Sequence, residues 1–290
     1  MGLLGNIIKG ALNITSEFDL DLKNDEKKQL AMLSQLLTKA QNTAFGKFYD
    51  FQSVLHQGDL GGTYRKHVPI FEYNEMYDRW WQQQLIRPDI TWPGQPKFYA
   101  RTSGTTGSES KRIPITEEFI SSMRKVGFDL IKGLAAYDLE DEIFESEVLT
   151  ISSTASLDRH KEGHLEGEIS GINIYNLPDW YDLFHRPGKD IARIPEWDDR
   201  LEQIVKAAPQ WDIGFIAGIP SWVLQVLKAV VKRYDLDDIR DLWPRLRVYM
   251  SGGVAFGTYE ESFRKLCGDS LLVIDTYLAS EGFFAFSNIP

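Results

Sequence analysis

A single cysteine, Cys267, is all the thiol chemistry that the 290-residue chain carries. An internal disulfide and a cysteine-built zinc site are therefore excluded, and a reducing compartment is the consistent setting. Positive charge is also scarce. Against 42 Asp and Glu stand 32 Lys and Arg, a formal charge of −10, which argues against non-specific nucleic-acid binding because cations must displace the phosphate counterions. A small anion can still find a locally positive site on an acidic protein. No apolar run approaches the length of a membrane span. The stretch Met1 to Thr15 interrupts its apolar residues with Asn6 and Lys9, too polar for a signal-peptide core, and Asn6 stands where a myristoylation signal needs serine or threonine. A soluble, cytoplasmic protein is the expectation. Internal repeats, low-complexity tracts and composition breaks are lacking as well.

What is present is ordinary globular material, with 43% hydrophobic and 26% charged residues. Periodicity predicts a helix over Asp25–Gln41 with Leu30, Leu33, Leu37 and Ala40 on one face. Asn42–Gly62 reads as loop-rich, and a helical tract over Pro69–Gln84 carries Tyr73, Met76, Tyr77 and Trp80. Three prolines and a glycine make Arg87–Pro96 an irregular connection. Strands are expected at Lys97–Arg101, Arg112–Ile115, Val148–Ser152, Ile213–Ala217, Leu246–Met250 and Leu271–Asp275. Thr116 is a credible N-cap for a helix with Phe119, Met123, Val126, Leu130 and Leu134 on one stripe. A further helix starts at Ser221, with Val223, Val226, Leu227, Val230 and Val231 facing a core. Strands alternating with helices give an α/β fold with a mostly parallel sheet flanked by helices.

The most informative segment is Thr102-Ser103-Gly104-Thr105-Thr106-Gly107-Ser108-Glu109-Ser110-Lys111, small and hydroxylated between two expected strands. Gly104 and Gly107 can adopt positive φ and bring backbone N–H groups close to an anion. The hydroxyls add donors and Lys111 adds charge, which together suit a polyphosphate. A Walker A loop needs glycine directly before the lysine, where Ser110 stands, and the glycine spacing does not make a dinucleotide fingerprint. A Ser/Thr-rich surface hairpin is the bland alternative.

The stretch Phe98–Gly107 through Lys111-Arg112-Ile113-Pro114 resembles the first nucleotide motif of the Gretchen Hagen acyl acid–amido synthetases, a family of the adenylate-forming superfamily. Thr276-Tyr277-Leu278-Ala279-Ser280-Glu281-Gly282 is similar to that family's second motif, and Tyr249-Met250-Ser251-Gly252-Gly253 to its strand-to-glycine turn against adenine. Thr43-Ala44-Phe45-Gly46-Lys47 and Val68-Pro69-Ile70 add to the likeness, which spans Thr43 to Pro290. The family's third motif, ending in Gly-Asp, has no counterpart, and the C-terminal lid is not found. The resemblance thus implies a helical segment over 1–42 and a partial ATP-binding, acyl-activating domain over 43–290, multilayered and cut short.

The implied chemistry is attack of a substrate carboxylate on the α-phosphate of ATP, expulsion of pyrophosphate, and capture of the acyl-adenylate by an amine or amino acid. Thr102, Ser103, Gly104, Thr105, Thr106, Gly107 and Lys111 would cradle the β- and γ-phosphates. Glu281 would hold Mg²⁺, a hard cation that takes oxygen ligands. Tyr277 would pack beside adenine, Ser280 would lie near the α-phosphate, and Ser251, Gly252 and Gly253 would let the backbone approach the base. The helix after Thr116 would wall the acyl pocket. Each has a plainer reading: Glu281 and Lys111 as surface charges, Tyr277 as core, the glycine pair as a turn. An acyl-CoA ligase and a non-catalytic nucleotide-binding protein are the alternatives. His160 and His164, followed by Glu166 and Glu168, tempt a metal reading, but Lys161 breaks the zincin order and Gly163 weakens a helix, so a solvated loop is expected. Cys267 is expected to be a small buried residue, and the scattered tryptophans to be packing.

Overall fold

In the computed structural model, residues 25–102, 110–134, 137 and 139–287 are described. The chain forms two compact units, a smaller one over Asp19–Glu117 and Arg159–Leu165, and a larger one containing Glu118–Asp158 and Glu166–Pro290.

The smaller unit is built around helix α1 (Asp25–Ala40), as its periodicity predicts. Leu37 and Ala40 are buried, Leu33 is partly so, and Leu30 stays 36% exposed. Leu33, Leu37 and Ala40 pack on Phe45, Tyr49, Phe51, Val54 and Trp80. Aromatic edges hold this cluster, as in the 5.1 Å edge-on pair of Phe45 and Trp80, a geometry favoured by the ring quadrupoles.

The expected loop over 42–62 is instead three short helices, Ala44–Phe48, Phe51–Leu55 and Leu60–His67. Thr43, Asp50 and Asp59 each accept a bond from a first-turn N–H, satisfying donors a helix start leaves open. Polarity disguised caps as loop. Gly46 is required by contact, since a Cβ there would lie 2.1 Å from the Ala40 carbonyl oxygen. From Tyr73 to Gln84 the chain is helical, with a π-helical turn over Tyr77–Trp81.

Strands β1 (Phe98–Arg101) and β2 (Arg112–Ile115) form an antiparallel hairpin, Phe98 opposite Ile115 and Arg101 opposite Arg112. They belong to a four-stranded sheet in which β1 is followed by Leu165–Gly167 and then Asp158–Arg159.

The larger unit carries a six-stranded sheet. Its strands are β3 (Glu147–Ile151), β4 (His185–Arg186), β5 (Ile213–Gly218), β6 (Val248–Gly252), β7 (Leu272–Ala279) and β8 (Gly282–Phe286), in the order β8-β7-β6-β5-β3-β4. Every neighbouring pair is parallel except β7 with β8. The sheet buries both faces, and adjacent residues point to opposite sides. Val148, Phe215, Val248 and Ile274 meet Leu130 of helix α2 (Glu117–Gly133) and Leu134 just beyond its end. Leu149, Ile216, Tyr249 and Val273 meet helices α3 (Trp197–Ala207), α4 (Pro220–Tyr234) and α5 (Glu260–Cys267). The fold class is therefore as read from the sequence: α/β, a mostly parallel sheet between helical layers. Strand β7 runs four residues beyond the expected Asp275, and the hairpin to β8 escaped the sequence reading.

Cys267 is 2% exposed, and burial pushes its thiol up to about 12, so it is an inert packing residue. Trp80, Trp211 and Trp243 are buried, whereas Trp180 is 55% exposed. Among the described residues, no helix is long and apolar enough to cross a membrane.

Candidate functional site

The hydroxylated loop is the connection of the β1–β2 hairpin. Thr102 N–H donates to the Lys111 carbonyl at 3.0 Å, so the two ends of the loop face each other across the last rung of the ladder. Ser103, Gly104, Thr105, Thr106 and Gly107, with Ser108 and Glu109, lie outside the described residues. The stem is held by Tyr73, whose place in the sequence predicts only an apolar helix face. Its hydroxyl accepts from Arg112 N–H at 2.7 Å and reaches the Arg112 carbonyl at 3.3 Å. Burial raises the Tyr73 phenol pKa, although the bond from Arg112 opposes that shift. The same ring lies under Lys111, with Nζ 5.1 Å from its centroid. Lys111 itself is exposed, so an ammonium stands at the mouth of the loop.

The other candidates lie in the larger unit, and the sheet brings them together. Strand β6 ends in Ser251 and Gly252, and in the parallel register Ser251 faces Asp275 and Gly252 faces Thr276 of β7. One residue on is Tyr277, and Ser280 and Glu281 make the two-residue turn between β7 and β8. Thus Ser251, Gly252, Gly253, Tyr277, Ser280 and Glu281 sit at the carboxyl ends of two neighbouring parallel strands, beyond which ligands bind in open α/β sheets.

The glycine pair has a structural reason of its own. Gly253 has φ +85°, and a Cβ on Gly252 would come within 2.6 Å of Thr276 Oγ1. That hydroxyl donates to the Ser251 carbonyl at 2.8 Å and pins β7 to β6. Thr276 is thus a positioning residue that the sequence left unremarked within the second motif. Ser251 is fully buried, so its side chain serves the strand interior while its backbone meets the turn.

Tyr277 is not core. It is 63% exposed, its ring resting on Phe284 at 5.0 Å, and so presents an open aromatic face. Glu281 is exposed at the hairpin tip. The larger unit thus offers an exposed carboxylate, an exposed aromatic and a glycine turn, and the smaller unit an exposed ammonium, side-chain types that suit a nucleotide and its divalent ion.

One expectation is overturned. The His160–Glu166 segment is not a solvated loop but the turn and second strand of a β-hairpin, with His164 and Glu166 each 4% exposed. Glycine at the turn, which weakened a helix there, is what a tight hairpin needs.

Among solved structures, the AtGH3.15 acyl acid amido synthetase in complex with 2,4-DB matches 100% of this chain, with a TM-score of 0.74 and 14% identity. A second structure of a GH3.15 acyl acid amido synthetase matches 97% of it, with a TM-score of 0.72 and 14% identity, over 56% of its own chain. A 2-hydroxyisobutyryl-CoA ligase in complex with 2-HIB-AMP and CoA, in an open conformation, matches 90% with a TM-score of 0.53 and 14% identity, over 55% of its own chain. The chain spans 58% of the length of the first of these. No curated protein matches at a significant level. Residues 14–202 match the GH3 family N-terminal domain. That match covers more than half of the chain, and the chain belongs to the GH3 family.

Proposed function

We propose that residues 43–290 form the nucleotide-binding part of an acyl acid–amido synthetase, which activates a carboxylic acid with ATP and passes the acyl group to an amine or amino acid. The observation that carries this is the convergence of two motifs, Ser251–Gly253 and Tyr277–Glu281, on the carboxyl ends of adjacent parallel strands.

Attack of a carboxylate on the α-phosphate brings two anions together, so the site must neutralise charge and hold the reactants in line. Lys111 offers a mobile ammonium to the β- and γ-phosphates at the mouth of the loop Thr102–Lys111. Tyr277 supplies a flat apolar face for adenine, and the turn at Gly253 exposes backbone close to it. Ser280 offers a hydroxyl toward the α-phosphate. Glu281 supplies a hard oxygen ligand for Mg²⁺, which when bound screens phosphate charge and polarises the phosphoryl oxygens. The acid and the accepting amine are small molecules held by the remaining surfaces, including the exposed side of α2.

The fold similarity to a CoA ligase favours a second reading in which the acceptor is a thiol. The first half-reaction is common to both, so ATP–pyrophosphate exchange over a panel of acids tests them together. Acid-dependent exchange is expected. ATP binding without exchange for any acid would instead make the chain a non-catalytic nucleotide binder, and no ATP binding would end the proposal. Product analysis with amino acids and with CoA then separates the acceptors.

A further inference from the structure

The hairpin over residues 158–167 gathers three metal-ligating side chains that the proposed reaction does not use. His160 N–H donates to the His164 carbonyl at 2.9 Å, and Gly163 N–H to the His160 carbonyl at 2.9 Å. Gly163 closes the turn with φ +94°. This pairing sets the two imidazoles face to face, 4.6 Å between centroids and 17° from parallel. Glu166 follows His164 by two positions, and residues two apart on an extended strand share a face. As a result one ligand atom from each of His160, His164 and Glu166 lies within 4.8 Å of the other two.

We propose that this hairpin binds a divalent late first-row transition ion, with Zn²⁺ the best fit. Two imidazole nitrogens and a carboxylate oxygen are a zinc donor set that leaves a fourth position for water, whereas Ca²⁺ and Mg²⁺ favour oxygen throughout. The three ligands come from seven consecutive residues on a stiff turn, so little chain entropy is lost in assembling them. His164 and Glu166 are each 4% exposed, which removes competing water from two of the three ligands. Tyr99 of β1 packs its ring 4.6 Å from His164 and limits where that imidazole can turn. The Glu162 carboxylate lies against Nδ1 of His160. A carboxylate behind an imidazole is how proteins commonly fix the orientation of a ligating histidine.

Tetrahedral zinc with bonds of about 2.1 Å places its donors roughly 3.3 Å apart. The trio must therefore draw in by about 1.5 Å from the upper end of its present spacing. Rotation of the stacked rings and of the Glu166 side chain supplies a movement of that size. The ion would tie the two strands of the hairpin together.

The test is titration of the metal-stripped chain with Zn²⁺ by calorimetry, repeated with Co²⁺ and read by visible absorption. One equivalent of tight binding and the d–d bands of a tetrahedral cobalt site are expected. His160→Ala, at the half-buried turn position, should weaken the Zn²⁺ affinity at least about tenfold while leaving the circular dichroism spectrum unchanged. Glu166→Gln should do the same, and if that variant does not fold, His160→Ala decides alone. Absence of saturable Zn²⁺ binding by the unaltered chain would overturn the site, as would binding undiminished in His160→Ala, which would place the ion elsewhere. Pyrophosphate exchange is not a readout here, so failure of the ligase proposal leaves this result untouched.

Discussion

Replacing Lys111 by alanine separates a phosphate-binding lysine from a surface lysine, and the structure sets the size of each effect. In the free protein Nζ lies 5.1 Å above the Tyr73 ring, an exposed cation–π contact worth about 0.5–1 kcal/mol. Its loss should lower the unfolding midpoint by only a few degrees, at about 2–4 °C per kcal/mol for a chain of this order of size. A charge-assisted hydrogen bond to phosphate contributes about 1.5–3 kcal/mol. If Lys111 must leave the ring to make that bond, the net contribution to ATP binding is roughly 1–2 kcal/mol. At 1.4 kcal/mol per decade, the dissociation constant for ATP should rise about five- to thirtyfold. Isothermal titration calorimetry on the two proteins, beside thermal melts, measures both quantities. An ATP affinity unchanged in Lys111→Ala removes the lysine from the site, and equal losses of binding and stability reduce it to a structural role.

Tyr73→Phe keeps the ring under Lys111 but leaves the Arg112 N–H without its 2.7 Å partner; about 1 kcal/mol of stability should go, with ATP affinity changed less than in Lys111→Ala. Glu281→Gln should shift the Mg²⁺ dependence of pyrophosphate exchange to higher concentration while stability stays within about 0.5 kcal/mol, since the residue is exposed at a turn; an identical Mg²⁺ titration would discredit its role. Gly252→Ala should destabilise by displacing the Thr276 hydroxyl, 2.6 Å from the new Cβ. Combining it with Thr276→Ala should cost less than the sum of the two, as expected for neighbours in one contact, and strict additivity in urea melts would refute that reasoning. Burial holds the His185 imidazole down at about 4 against an ordinary 6.5. The unfolded chain therefore takes up a proton that the folded one refuses. Stability is fully present above pH 6.5 and falls as the pH drops toward 4, by up to roughly 3 kcal/mol from this group. The loss between pH 6.5 and 4 should be smaller in His185→Phe.

The larger unit was legible in the sequence because its signals are local and repeated. Short apolar runs at Val148, Ile213 and Leu271 and the helical stripe of Val223, Val226, Leu227 and Val230 have no competing interpretation, and all became sheet or core. The far half of β7, Thr276 to Ala279, is hidden in the sequence because it sets the exposed Tyr277 among partly buried neighbours and lacks the apolar alternation that marks a strand. Residues 42–62 were read as loop because Thr43, Asp50 and Asp59 are turn formers in isolation and caps only when helices follow. The hairpin at His160 is hidden for a related reason, since two histidines four apart around Lys161, Glu162 and Gly163 have the composition of a solvated loop. Tyr73 carried no signal at all for its role, because its partner Arg112 is 39 residues away.

These differences bear on which residues can decide the function. Gly252 and Gly253 are proposed to lie against adenine, but tight contact with Thr276 and a positive φ already require glycine there, so their loss would disturb the fold whatever the protein binds. Lys111, Tyr277 and Glu281 are the opposite case. Folding gains little from an exposed ammonium, an aromatic ring left 63% exposed or a carboxylate at a hairpin tip. A substitution at any of the three leaves the core intact, so a loss of ATP binding or exchange there reports on chemistry rather than on stability. The family assignment rests on the match over residues 14–202, and the catalytic assignment has to be won or lost at these three side chains.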